Sequence, residues 1–123
     1  MKERHEMDMP LAVDKWGWKY HHLGIPAKEK LSDATYLPKL KFSVKGFKTS
    51  PFGIEWMEFD DDCQMDELIK TVPHLAFVVD DLDYELKTKG FNILSEPGSP
   101  MEGVRVAMIE IDGAPIELME FKK

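Results

Sequence analysis

One short pattern occurs twice in this chain, and the duplication constrains its fold more than any other feature. His22-Leu23-Gly24-Ile25 is followed, after a gap, by Gly53-Ile54-Glu55-Trp56-Met57-Glu58-Phe59; His74-Leu75-Ala76-Phe77 is followed by Pro115-Ile116-Glu117-Leu118-Met119-Glu120-Phe121. Each half opens with a histidine heading a short apolar stretch and closes with a glutamate interrupting an apolar strand. A polar group on a face that would otherwise be dry costs free energy unless something satisfies it. Four such groups from two equivalent halves therefore point to one shared site. A length of 123 residues allows one domain with a core large enough to stand alone. The repeat is then two halves of one fold, about residues 15–60 and 72–121 of a domain spanning 15–123, after an N-terminal tail over 1–14.

The second half is the clearer one. Pro73 to Val79 reads as a buried strand, and Asp80 as the N-cap of a helix over Leu82 to Lys89. Asp81, Asp83 and Glu85 suit the positive end of its dipole, Lys87 and Lys89 the negative end, and Gly90 the stop. Leu82 and Leu86 share one face. A strand from Phe91 to Leu94 and a loop from Ser95 to Pro100 follow. Val104 to Ile109 and Ala114 to Phe121 then form a hairpin around Asp112-Gly113. The order is strand, helix, three strands, an α+β arrangement. A two-residue turn pairs Ile111 with Ala114, Met108 with Glu117, Val106 with Met119 and Arg105 with Glu120. Glu117 then shares an apolar face with Val104, Val106, Met108 and Met119, whereas Glu120 reads as half of a cross-strand ion pair.

In the first half, Trp16 to Ile25 reads as one strand. Strict alternation puts Trp18, Tyr20, His22 and Gly24 on one face and His21 on the other, away from the site. Lys41 to Phe47 and Gly53 to Phe59 are further strands. Pro26 to Pro38 lacks helical periodicity, so the helix of this half is shortened or lost, and Trp56 or the segment before Trp16 must cover the face it would have covered. Asp66 to Thr71 is a short linking helix.

Lys plus Arg number 16 against 23 Asp plus Glu, a net charge of −7, which argues against nucleic acid or an anionic membrane as partner. The single Cys63, and the lack of an apolar run after the charged first residues, fit a cytoplasmic location. Asp60-Asp61-Asp62 lacks the glycine and closing glutamate of a calcium loop and reads as a solvated turn.

The duplicated halves, the His-Leu-Gly and His-Leu-Ala openings and the Ile-Glu-Leu-Met-Glu ending resemble the vicinal oxygen chelate superfamily, which includes glyoxalase I, methylmalonyl-CoA epimerase, fosfomycin-resistance proteins, extradiol dioxygenases and bleomycin resistance proteins. The resemblance covers about residues 20–121 and is strongest from His74 to Glu120, with Asp80-Asp81-Leu82 and Gly103-Val104-Arg105-Val106. It implies paired βαβββ modules forming glyoxalase-like half-barrels around one cleft. It also implies a divalent metal held by His22, Glu55, His74 and Glu117. Two imidazoles and two carboxylates suit Ni, Zn, Co, Fe or Mn, and small residues at Gly24 and Ala76 leave room beside them. The order His, Glu, His, Glu is most similar to bacterial glyoxalase I; epimerase-type members generally carry glutamine at the position of Glu55. The implied activity is that of a metal-dependent lyase or isomerase, acting through an enediolate on a small-molecule substrate with vicinal oxygens, with Glu55 or Glu117 as catalytic base. The alternatives are a small-molecule sequestering protein of the bleomycin-resistance type and an epimerase of the methylmalonyl-CoA type. Dimers are common in the family, so a homodimer is a further expectation.

Overall fold

The computed structural model describes residues 3–122. In chain order the elements are α1 (Leu11–Asp14), β1 (Lys19–Pro26), β2 (Thr35–Leu37), β3 (Phe42–Lys45), β4 (Ile54–Phe59), α2 (Glu67–Thr71), β5 (His74–Val78), α3 (Leu82–Thr88), β6 (Asn92–Met101), β7 (Val104–Ile111) and β8 (Ala114–Phe121). The eight strands form one curled mixed sheet in the order β2-β3-β4-β1-β5-β8-β7-β6. That order reads the same from either end: in each half the first strand lies parallel to the last, and the last is antiparallel to the third. The halves join where β1 pairs antiparallel with β5. This is the expected pair of βαβββ modules, the first without its helix.

The second module keeps its helix because the sequence supplies both a cap and an apolar face. Asp81, one residue later than expected, is the N-cap, its side chain accepting from the Tyr84 N–H at 3.1 Å. Gly90 adopts φ 65° just past the C-cap at Lys89, a conformation an L side chain rarely takes. Leu82 is fully buried with Trp18, Val79, Ala107, Ile109 and Leu118 between α3 and the outer face of the sheet. Burying each of the larger of these side chains stabilises the fold by about 1.5–3 kcal/mol.

The β7–β8 hairpin has the expected register throughout, from Ile111 opposite Ala114 to Arg105 opposite Glu120. Asp112 and Gly113 both have positive φ, as a two-residue turn twisted to match its strands requires. The residues over 95–100 are not a loop. They continue β6 to Met101, with repeated register shifts that accommodate Pro97 and Gly98 against β7. Glu120 does more than pair with a cation: its Oε1 accepts from the Leu82 N–H at 2.7 Å, closing the first turn of α3. Arg105 is instead forked onto Asp83, at 3.0 and 3.1 Å, and reaches Glu120 only at 4.0 Å.

In the first module the segment after β1 bends without forming a helix and lies along the outer face. The Leu31 N–H donates to Glu58, and Lys45 to the Ser32 carbonyl. Trp56, 38% exposed, sits on that face against Gly46. The segment before Trp16 turns the other way: Ala12 of α1 packs on the core under α3, and Trp16 meets Phe91. It therefore covers the second half, not the first.

Replacing Glu120 by alanine leaves the N–H of buried Leu82 without its acceptor and should cost about 1–2 kcal/mol in urea unfolding. Glu120→Gln should cost less, because an amide oxygen still accepts. Arg105→Ala, at an exposed pair, should move the midpoint little.

Candidate metal centre

The site is assembled by strand register. Two rows of residues cross the inner face of the sheet. In one, Glu55 on β4 lies beside Gly24 on β1, which lies opposite His74 on β5. In the other, His22 on β1 lies opposite Ala76 on β5, which lies beside Glu117 on β8. Each row reads glutamate, small residue, histidine, and the Leu23–Leu75 pair between them marks the approximate two-fold. Strands spaced about 4.8 Å apart set the histidine and glutamate of a row roughly 10 Å apart at the backbone. A small residue between them lets His22 and Glu117 meet within the second row, whereas Glu55 of the first row approaches His22 and His74 approaches Glu117.

Three of the four meet closely. His74 Nε2 lies 3.1 Å and His22 Nε2 3.5 Å from the same oxygen, Glu117 Oε1. The potential ligand atoms of His22, His74 and Glu117 all lie within 4.8 Å of one another. Glu55 stands at the edge, its Oε1 3.9 Å from His22 Nε2. Both histidines are buried; His74 Nε2 faces the Glu117 oxygen, and its Nδ1 has no hydrogen-bond partner among the described residues. An orphaned buried imidazole aimed at a carboxylate and a second imidazole is what a divalent cation would satisfy. The donor set, two nitrogens and a carboxylate with a second carboxylate at the rim, suits Zn, Fe, Ni, Co or Mn.

The two glutamates differ electrostatically. Burial pushes Glu117 upward, but the neighbouring His22 and His74 outweigh it and hold the carboxyl at about 2. For Glu55 burial wins over the pull of His22, and its carboxyl is raised. Burial lowers His22, yet Glu117 and Glu55 more than compensate and leave it raised.

Strict alternation along β1 fails at one place. Tyr20 pairs with Phe77 and His22 with Ala76, so an extra residue, His21, is bulged out of the ladder. The bulge leaves Trp18 in the core under α3 and swings His22 to the inner face, so the two do not share a side. It also keeps His21 with the site: the ring stacks on Phe47 at 4.8 Å and 17°, lies 5.7 Å from Phe121, and places Nδ1 2.7 Å from Nδ1 of His22. Burial, then the neighbouring His22, lower its pKa. Period-two reasoning missed His21, Phe47 and Phe121 because a bulge leaves no mark in an alternation pattern; the His-His doublet itself was the available signal.

Gly24 is required by His74. A methyl group there would overlap the imidazole, 2.6 Å from each ring nitrogen. The room expected beside the ligands is thus taken, in this row, by the histidine itself.

No family model matches the sequence, and a search of curated proteins finds no match. Solved structures do match. The fold is similar to that of the hypothetical protein BH1468 from Bacillus halodurans C-125, with a TM-score of 0.62 at 20% identity over 86% of this chain and 96% of that one. It is also similar to that of methylmalonyl-CoA epimerase from Mycobacterium tuberculosis, with a TM-score of 0.58 at 19% identity over 85% and 89%. The chain thus has the paired-module fold of that epimerase. No helix among the described residues is long and apolar enough to cross a membrane.

Gly24→Ala should displace His74, lowering zinc affinity at least about tenfold in a chelator competition and costing about 1–3 kcal/mol of stability. Ala76→Gly should leave zinc binding near wild type and cost only about 0.5–1 kcal/mol. In metal-free protein, Glu117 stabilises the fold above its ordinary value of 4.5 and loses that contribution as pH falls towards about 2. His22, raised, stabilises below 6.5 and loses its contribution as pH rises through its folded value. Urea midpoints should therefore fall as pH drops from 4.5 towards about 2, and Glu117→Gln should lessen that fall.

Proposed function

We propose that the chain is a metal-dependent enzyme of the vicinal oxygen chelate type that moves a proton at a carbon next to a carbonyl in a small molecule with adjacent oxygens. The observation that carries this reading is the convergence of His22, His74 and Glu117 on one point, with Glu55 beside them but less tightly held. The same proton transfer underlies a glyoxalase I-like lyase and an epimerase. The likeness in fold to an epimerase supports the second as much as the ligand order supports the first.

In this reading His22, His74 and Glu117 hold the cation, which supplies Lewis-acid polarisation of the substrate oxygens when bound. Glu117, kept ionised by two imidazoles, is committed to that task. Glu55 is the base. Its raised carboxyl is closer to the working range of a proton carrier, and its side chain, 19% exposed, opens towards solvent and substrate. It takes the proton from the carbon and returns it to the neighbouring carbon; an epimerase outcome needs a second acid that delivers a proton to the opposite face of the same carbon.

The test is solvent deuterium exchange at the carbon beside a carbonyl, with hemithioacetals and 2-substituted thioesters as substrates. Glu55→Gln should bind metal within a few-fold of wild type yet lose about 10²-fold or more in exchange, whereas Glu117→Gln should lose the metal first. Unchanged exchange in Glu55→Gln would remove Glu55 from the chemistry. A metal-loaded chain that binds such a molecule tightly and exchanges nothing would establish the sequestering alternative.

A further inference from the structure

We propose that His21 is a positioning residue, fixing the tautomer and orientation of His22 so that Nε2 of His22 offers its lone pair to the point shared with His74 and Glu117. The inference rests on the reading of that group as a metal site. Its basis is a contact that only one half of the repeat possesses. The bulge in β1 puts His21 Nδ1 2.7 Å from His22 Nδ1, a distance at which one nitrogen carries the proton and the other accepts it. The opposite nitrogen of His22, Nε2, faces Glu117 and Glu55. A neutral imidazole carries one proton, so a lone pair at Nε2 requires the proton at Nδ1, donated to His21, whose own proton then sits on its Nε2.

His21 is itself held in place. Phe47 stacks on its ring and Phe121 lies on another side, so the acceptor is presented without the freedom of an exposed side chain. The second module has no counterpart: Pro73 precedes His74, and His74 Nδ1 has no hydrogen-bond partner among the described residues. Of the two imidazoles, His22 alone has its outer nitrogen engaged. Groups that hold the far nitrogen of a ligating histidine typically contribute 10–100-fold to metal affinity.

The experiment compares zinc affinity, by chelator competition, in wild type, His21→Phe and His21→Asn, with far-UV circular dichroism to confirm folding. Phenylalanine keeps the ring between Phe47 and Phe121 but accepts nothing; asparagine loses the ring but offers an oxygen near the position of Nδ1. His21→Phe should bind about 10–100-fold more weakly, and His21→Asn should recover most of that loss. A purely packing role predicts the reverse order. In zinc-loaded wild type, nitrogen-15 spectra should show His22 protonated at Nδ1 and His21 protonated at Nε2 with its Nδ1 shifted as a hydrogen-bond acceptor; a His21 Nδ1 that is protonated or accepts nothing overturns its role even if a variant does not fold. Equal zinc affinity in all three proteins, or a His22 bound through Nδ1, would overturn the role of His21 alone. Wild type that binds no zinc, cobalt or nickel would overturn the metal reading beneath it.

Discussion

Everything at the site depends on the antiparallel pairing of β1 with β5 about the Leu23–Leu75 pair. That register sets His22 against Ala76 and His74 against Gly24, so each half lays its histidine over the small residue of the other. The parallel partners β4 and β8 then bring Glu55 and Glu117 to the same two rows. A slip of one residue along β1 would send its polar side chains to the outer face, because side chains alternate with period two. The inner face is thus specified by pairing across the two-fold more than by either module alone.

The two-fold is approximate, and its departures are where the chemistry differentiates. Gly24 lets the His74 ring settle onto the backbone of β1, while the methyl group of Ala76 stands in the equivalent place. The β1 bulge gives His22 a hydrogen-bonding neighbour that His74 lacks. The outcome is two glutamates at related positions with opposite shifts: Glu117 held at about 2 between both imidazoles, Glu55 raised by burial at their edge. Two carboxyl groups pushed apart in this way are suited to different tasks, one to hold and one to exchange a proton.

Much of this was legible in the sequence because it was written twice. The duplicated His and Glu segments located the four polar residues, and the Asp112-Gly113 turn set the β7–β8 register, with Met108 opposite Glu117 and Arg105 opposite Glu120. The lost helix after β1 could be read from missing periodicity. What was not legible depended on tertiary context. The bulge at His21 is invisible to an alternation rule and reversed the placement of Trp18 relative to His22. Pro97 and Gly98 suggested a loop, yet β6 absorbs them through register shifts against β7. The cap of α3 moved from Asp80 to Asp81, and Glu120 proved to be an acceptor for the same helix end, a partnership 38 residues apart in the chain. Which glutamate stands closer to the histidines could not be read from two near-identical segments.

The central claim is that His22, His74 and Glu117 share one cation. X-ray absorption at the zinc edge of the zinc-loaded protein tests it most directly, because multiple scattering from imidazole rings counts histidine ligands without reference to activity. The account predicts a shell of nitrogen and oxygen near 2.0–2.2 Å with two imidazoles, reduced to one in His74→Ala. A shell with no imidazole scattering, or one unchanged in His74→Ala, would contradict it.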